Sequence, residues 1–202
     1  MIEAIVAKPG EGKTLYMLRQ MHKDLFWAKF FKRDIIQIVN IPVSKEYFPD
    51  AIYIDNKDIS QLYDWIRQKK YFGAYIYLDE MSILFPSSFH KSIPQDIILA
   101  LRQHRHAGYN MYYTAQNLDE VAKGVRGVTQ FCTEISGWSA LRFSTYACYS
   151  TRNGKVSQKD RYSFGVYFHT NKLYTSYDTH HNVETPGYID FKKGAQGGDE
   201  TF

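Results

Sequence analysis

The sequence predicts an α/β fold with a mostly parallel central sheet flanked by helices and an antiparallel hairpin extension after residue 139. Three observations carry that class. A short apolar run near the amino end (Ile2, then Ala4 to Ala7) passes directly into a glycine-bearing loop and a long helical periodicity. Further apolar runs, 74–78 and 109–115, alternate with helix-period segments, which is the pattern of strand, crossover and parallel strand. Beyond Ser139 the apolar period falls to two on either side of Asn153-Gly154, the strongest hairpin-turn signal in the chain.

Composition bounds the rest. A length of 202 residues predicts one domain, here residues 1–190, with a nucleotide-binding core at 1–138, a β-rich extension at 139–190 and a flexible tail at 191–202. The hydrophobic share of 44% is ordinary for a globular domain; the aromatic share of 16% is high and is read first as packing. A net charge of +4 permits a polyanionic partner without requiring one. Cys132 and Cys148 have no zinc or redox spacing and are expected as buried free thiols. Ile2 to Ala7 is too short for the apolar core of a signal peptide, and no stretch approaches membrane-spanning length.

The first strand delivers Lys8-Pro9-Gly10-Glu11-Gly12-Lys13-Thr14-Leu15, a phosphate-binding loop. Gly10 and Gly12 allow the backbone to turn successive N–H groups toward an anion, and the helix opening at Lys13 directs its positive end to the same point. Lys13 is placed for the β/γ-phosphates and Thr14 for Mg²⁺, so residues 8–15 are the expected cradle for ATP. Ala7 stands where this motif usually has its first glycine. Apolar positions through Phe30 predict a helix from Lys13 to about Phe31, followed by a strand over 34–41 stopped by Pro42. A short strand is expected at 51–54 and a helix over 57–70, capped by Asp58 or Asn56.

The run 74–78 ends in Asp79-Glu80, where a buried parallel strand would meet an active site. Asp79 is the expected metal ligand with Thr14, and Glu80 the base that polarises water. A helix is predicted over 95–107, with Arg102, Arg105 and His106 sharing a face. These cations either complement the helix terminus or reach a neighbouring nucleotide or DNA phosphate. The strand 109–115 brings Gln116-Asn117 beside Asp79, so Gln116 is placed to sense the γ-phosphate. A short helix over 118–124 leads to Arg126 and then a strand over 128–135. An edge strand is expected at 172–177, and His169, His180 and His181 are read as solvated loop histidines with no ligand set.

His104-Arg105-His106-Ala107-Gly108, Thr114-Ala115-Gln116, Val125-Arg126 and Leu173-Tyr174-Thr175-Ser176-Tyr177 together resemble the zonular occludens toxin-like family. The similarity spans about residues 1–180. These are assembly ATPases of filamentous phages, akin to bacterial chromosome translocases and viral packaging ATPases. The resemblance implies an ATP-hydrolysing motor that translocates viral DNA, taken as single-stranded. It also implies Mg²⁺, a homo-oligomeric ring, and Arg105 or Arg126 acting on a neighbour's nucleotide. Family members that extrude phage usually continue into a membrane-spanning helix, which is not present here. Packaging into a capsid and extrusion at a membrane therefore both stay open. The implied location is the host cytoplasm, at the inner-membrane face or a capsid vertex, with capsid or inner-membrane assembly partners. A nucleotide-dependent assembly scaffold is the rival reading. A kinase would need an arginine-rich lid, and guanine specificity an N-K-x-D stretch; neither is evident.

Overall fold

The near-continuous apolar runs of the central strands dictate a sheet covered there on both faces. The structure is a computed structural model that describes residues 1–68, 70–89, 93, 95–138 and 141–177. His180, His181, the expected tail at 191–202 and the last part of the extension lie outside the described residues. Strands β1 (Ile2–Val6), β2 (Gln37–Val39), β3 (Ile52–Tyr53), β4 (Tyr75–Leu78), β5 (Asn110–Ala115) and β6 (Phe131–Trp138) are parallel. Strands β7 (Phe143–Arg152) and β8 (Lys155–Phe168) close the sheet antiparallel, in the order β3-β2-β4-β5-β1-β6-β7-β8.

Helix α1 (Lys13–Phe30) covers one face. Its Leu15, Leu18 and Met21 pack with Ile5, Val39, Tyr77 and Tyr112, and the last two rings stack 5.3 Å apart. On the other face lie α2 (Ile59–Gln68), α4 (Gln95–Arg102) and α5 (Lys123–Arg126). There Leu62, Ile97 and Val125 meet Ile2, Ile76 and Tyr113. The register explains the split: odd and even residues of β1 point to opposite faces. A single turn, α3 (Met81–Leu84), follows β4, and α6 (Asn171–Thr175) ends the described chain.

Several expectations are corrected. The helix predicted to reach Ala107 stops at Arg102, and 103–108 are turns, so Arg102, Arg105 and His106 share no helical face. The cause is His104, whose Nδ1 bonds the Leu101 carbonyl at 2.7 Å and takes an acceptor at the helix end. The cap before α2 is Asp55, which accepts the Lys57 N–H at 2.8 Å, rather than Asp58 or Asn56. Residues 172–177 do not form an edge strand, because the Thr170 hydroxyl caps α6 there. His169 is buried rather than solvated, and the segment 118–124 divides into a 3-10 turn and α5. Both cysteines are buried free thiols, as expected.

Candidate nucleotide site

The parallel register brings the carboxyl ends of β1, β4 and β5 side by side, since Leu78 pairs with Tyr113 and Val6 with Ala115. Residues 8–15, Asp79-Glu80 and Gln116 therefore converge from three separate parts of the chain. Gly10 and Gly12 take φ values of 80° and 92°, the left-handed region that favours glycine. The Lys8 N–H is held by Glu11 Oε2 at 3.0 Å, which curls the loop over itself. The Gly12 carbonyl accepts the first helical bond from Tyr16 N at 2.9 Å. Ala7 is buried in the core beneath the loop, its N–H on the Ala115 carbonyl at 3.3 Å, so the small side chain closes the strand end.

Thr14 Oγ1 donates toward Asp79, lying 3.1 Å and 3.2 Å from the two carboxylate oxygens. Asp79 is buried, and burial raises its carboxyl above the ordinary range, opposed by the Thr114 hydrogen bond. A hydroxyl and a carboxylate in contact are hard oxygen donors, the set that suits Mg²⁺, an ion that keeps most of its waters and takes one or two protein ligands. Beside them Lys13 Nζ is 2.7 Å from Glu80 Oε1, and both groups are largely shielded from solvent. Glu80 adopts φ 52°, a strained backbone for a side chain of its kind.

Two polar residues to which the sequence assigned no role in the site, Asn40 and the Thr114 of the Thr114-Ala115-Gln116 motif, support this pair. Thr114 Oγ1 donates to Asp79 Oδ1 at 2.6 Å and accepts the Glu80 N–H at 2.9 Å, so one buried hydroxyl orients both acids. Asn40 Oδ1 accepts the Asp79 N–H at 2.6 Å, while its Nδ2 donates to the Asp79 carbonyl at 3.0 Å and to Asn56 Oδ1 at 2.9 Å. The available signal was a polar residue closing an apolar parallel run, in each case at the carboxyl end of a strand beside β4.

The antiparallel extension reaches the loop as well. Tyr167 Oη donates to the Gly12 carbonyl at 2.7 Å and Ser144 Oγ to the Glu11 carbonyl at 3.0 Å. His169 Nε2 lies 2.8 Å from Ser144 Oγ, and its Nδ1 3.2 Å from Tyr174 Oη. A Cβ on Gly137 would come within 2.4 Å of the Glu11 carbonyl oxygen, so β6 passes against the loop backbone.

The remaining predicted residues lie elsewhere or apart. Gln116 is exposed one residue past the Val6–Ala115 pair, next to the loop. Arg126 ends α5 on the connection that returns from β5 to β6, ion-paired with Asp119. Arg105 is exposed in the turn that leads into β5, at the opposite end of the sheet from Lys13.

With this geometry established, the family profile of zonular occludens toxin (Zot) matches residues 6–181. The chain belongs to the Zot family. The Zot-family chain resembles the N-terminal domain of zonular occludens toxin from Neisseria meningitidis, at 18% identity and a TM-score of 0.61, covering 88% of this chain and 98% of that one. It also resembles the genome packaging NTPase B204 of Sulfolobus turreted icosahedral virus 2, solved with ATP-gammaS, at 16% identity and a TM-score of 0.53, covering 77% and 94%. B204 of Sulfolobus turreted icosahedral virus, described as a DNA-packaging ATPase, gives 14% identity and a TM-score of 0.54 over 77% and 95%. These likenesses establish the P-loop NTPase fold of the Zot-family chain. No curated protein matches it by sequence.

Proposed function

We propose that this chain is an ATP-hydrolysing motor of virion assembly that drives translocation of a viral DNA genome. One observation carries the reading: Thr14 meets Asp79 and Lys13 meets Glu80 at the mouth of a glycine loop, the constellation needed to bind and hydrolyse a nucleoside triphosphate. Residues 8–15 wrap the phosphates. Thr14 and Asp79 would hold Mg²⁺, which neutralises charge on the β- and γ-phosphates. Glu80 orients the attacking water and takes up its proton as the β–γ bridging bond breaks, and Gln116 reads the γ-phosphate from β5. Family membership and the likeness to packaging ATPases support DNA as the cargo and a ring as the assembly. Arg105 and Arg126 are both candidates for a finger acting on a neighbour. Both lie toward the amino end of the sheet, where Arg105 and Gly127 line one cleft and Arg126 abuts the Gly154 turn, so either would reach the phosphates only of a neighbour whose loop faces that end.

Lys13 is paired with Glu80 before ATP arrives, so the phosphates must displace the carboxylate from the lysine. Glu80→Gln is therefore expected to abolish phosphate release while ATP binds severalfold more tightly, read by turnover and titration calorimetry on the same preparation. An unchanged release rate sinks the assignment of Glu80 as base. Retained ATP binding with no wild-type turnover on DNA favours the assembly scaffold instead.

A further inference from the structure

The sheet end opposite the phosphate loop is a basic, aromatic surface that nucleotide chemistry does not use. Helix α1 starts at the loop and runs 18 residues, about 27 Å, so its last turns reach the amino ends of the strands. Phe26, Trp27, Phe30 and Phe31 are 60%, 44%, 65% and 57% exposed there, and Phe72, on the lead-in to β4, is 73% exposed. Lys29, Lys32 and Arg33 interleave with these rings, and Lys70, Arg102 and Arg105 stand exposed on the neighbouring lead-ins to β4 and β5. Acids are scarce. Asp24 turns inward to the Tyr77 hydroxyl at 2.7 Å, Asp64 is paired with Arg67, and Asp34 is exposed at the helix end.

We propose that this end of the molecule docks on an anionic lipid bilayer. Phenylalanine and tryptophan beside lysine and arginine match the two layers of such a surface, acyl boundary below and anionic headgroups above. The α1 rings already engage one another's faces: Phe26 stacks on Phe30, Trp27 on Phe31, and Phe30 meets Phe31 edge-on. Single-stranded nucleic acid instead needs open ring faces along a groove. A second copy presenting the same patch would set these cations against their own kind. The proposed contact is made by this surface itself; among the described residues no helix is long and apolar enough to cross a membrane. Docking this way turns the phosphate loop away from the bilayer.

The test is flotation of the full chain, without nucleotide, on vesicles of phosphatidylcholine alone or mixed with phosphatidylglycerol. Omitting nucleotide separates this proposal from the ATPase reading. Binding is expected only to the anionic vesicles and falls with salt. It drops roughly tenfold or more in Phe30→Ser/Phe31→Ser and in Lys32→Glu/Arg33→Glu. Equal or absent binding to both vesicle types, or wild-type binding by both variants, overturns the proposal. So does loss of single-stranded oligonucleotide binding, or of self-association in sedimentation, in those variants when vesicles are not bound.

Discussion

At the scale of single residues, the site depends on side chains placed where charge is costly. Thr114 binds Asp79 and Glu80 N–H together, so the register of β5 against β4 positions both acids. Away from the site, Asp24 illustrates the cost itself. Burial against the sheet pushes its carboxyl up to about 6, with hydrogen bonds from Tyr77 and Tyr112 pulling the other way. A folded carboxyl that holds its proton to higher pH favours the folded state in acid, and that advantage is lost as pH rises through about 6. Asp24→Asn keeps an acceptor for Tyr77 but never ionises. The variant is expected to gain roughly 1–2 kcal/mol on the wild type between about pH 5 and pH 8 in urea unfolding.

At the scale of elements, the hairpin extension serves as a brace for the phosphate loop. Strands β6, β7 and β8 each send one contact to residues 11–12: the Gly137 backbone, Ser144 and Tyr167. Tyr167 also packs edge-on against Tyr16 of α1, ring centroids 5.4 Å apart, so strand and helix grip the loop from two sides. Tyr167→Phe keeps the ring and loses one hydrogen bond worth about 1 kcal/mol, so ATP affinity should fall about fivefold with the fold intact. Gly137→Ala must push the Glu11 backbone aside and should weaken ATP binding further than that. Titration calorimetry with far-UV circular dichroism on the same samples separates the two effects; unchanged affinity in both variants removes the hairpin from nucleotide binding.

At the scale of the whole molecule, the sheet has two chemically different ends. Its carboxyl end gathers the loop, the acids and Gln116, and its amino end carries the exposed cations and aromatic rings. A ring with shared sites predicts complementation. Arg126→Ala and Glu80→Gln should each be inactive alone, and mixing them should restore part of the turnover per subunit, measured as phosphate release against mixing ratio. No recovery at any ratio, with both variants binding ATP, would confine Arg126 to its ion pair with Asp119 in its own chain.

The sequence by itself determined the parts whose physics is local. Gly10, Gly12, Lys13 and Thr14 lie in one short loop, and the runs ending at Asp79 and Ala115 declare buried parallel strands. Asn153-Gly154 declares the hairpin turn, and all of these stand in the structure as read. Non-local pairing was not legible. The bonds of Asn40 to Asp79 and of Tyr167 to Gly12 join residues far apart in the chain, and no spacing rule connects them. The helix over 95–107 was overextended because periodicity cannot see His104 turn back onto the Leu101 carbonyl. The edge strand at 172–177 failed because Thr170 caps a helical turn that buries Leu173, so packing overrode a strand-like run and left an isolated bridge between Val43 and Tyr177 at its end. Only the tertiary structure decided which end of the sheet each arginine occupies, because strand order and direction, not sequence spacing, set the distance between Lys13 and Arg105.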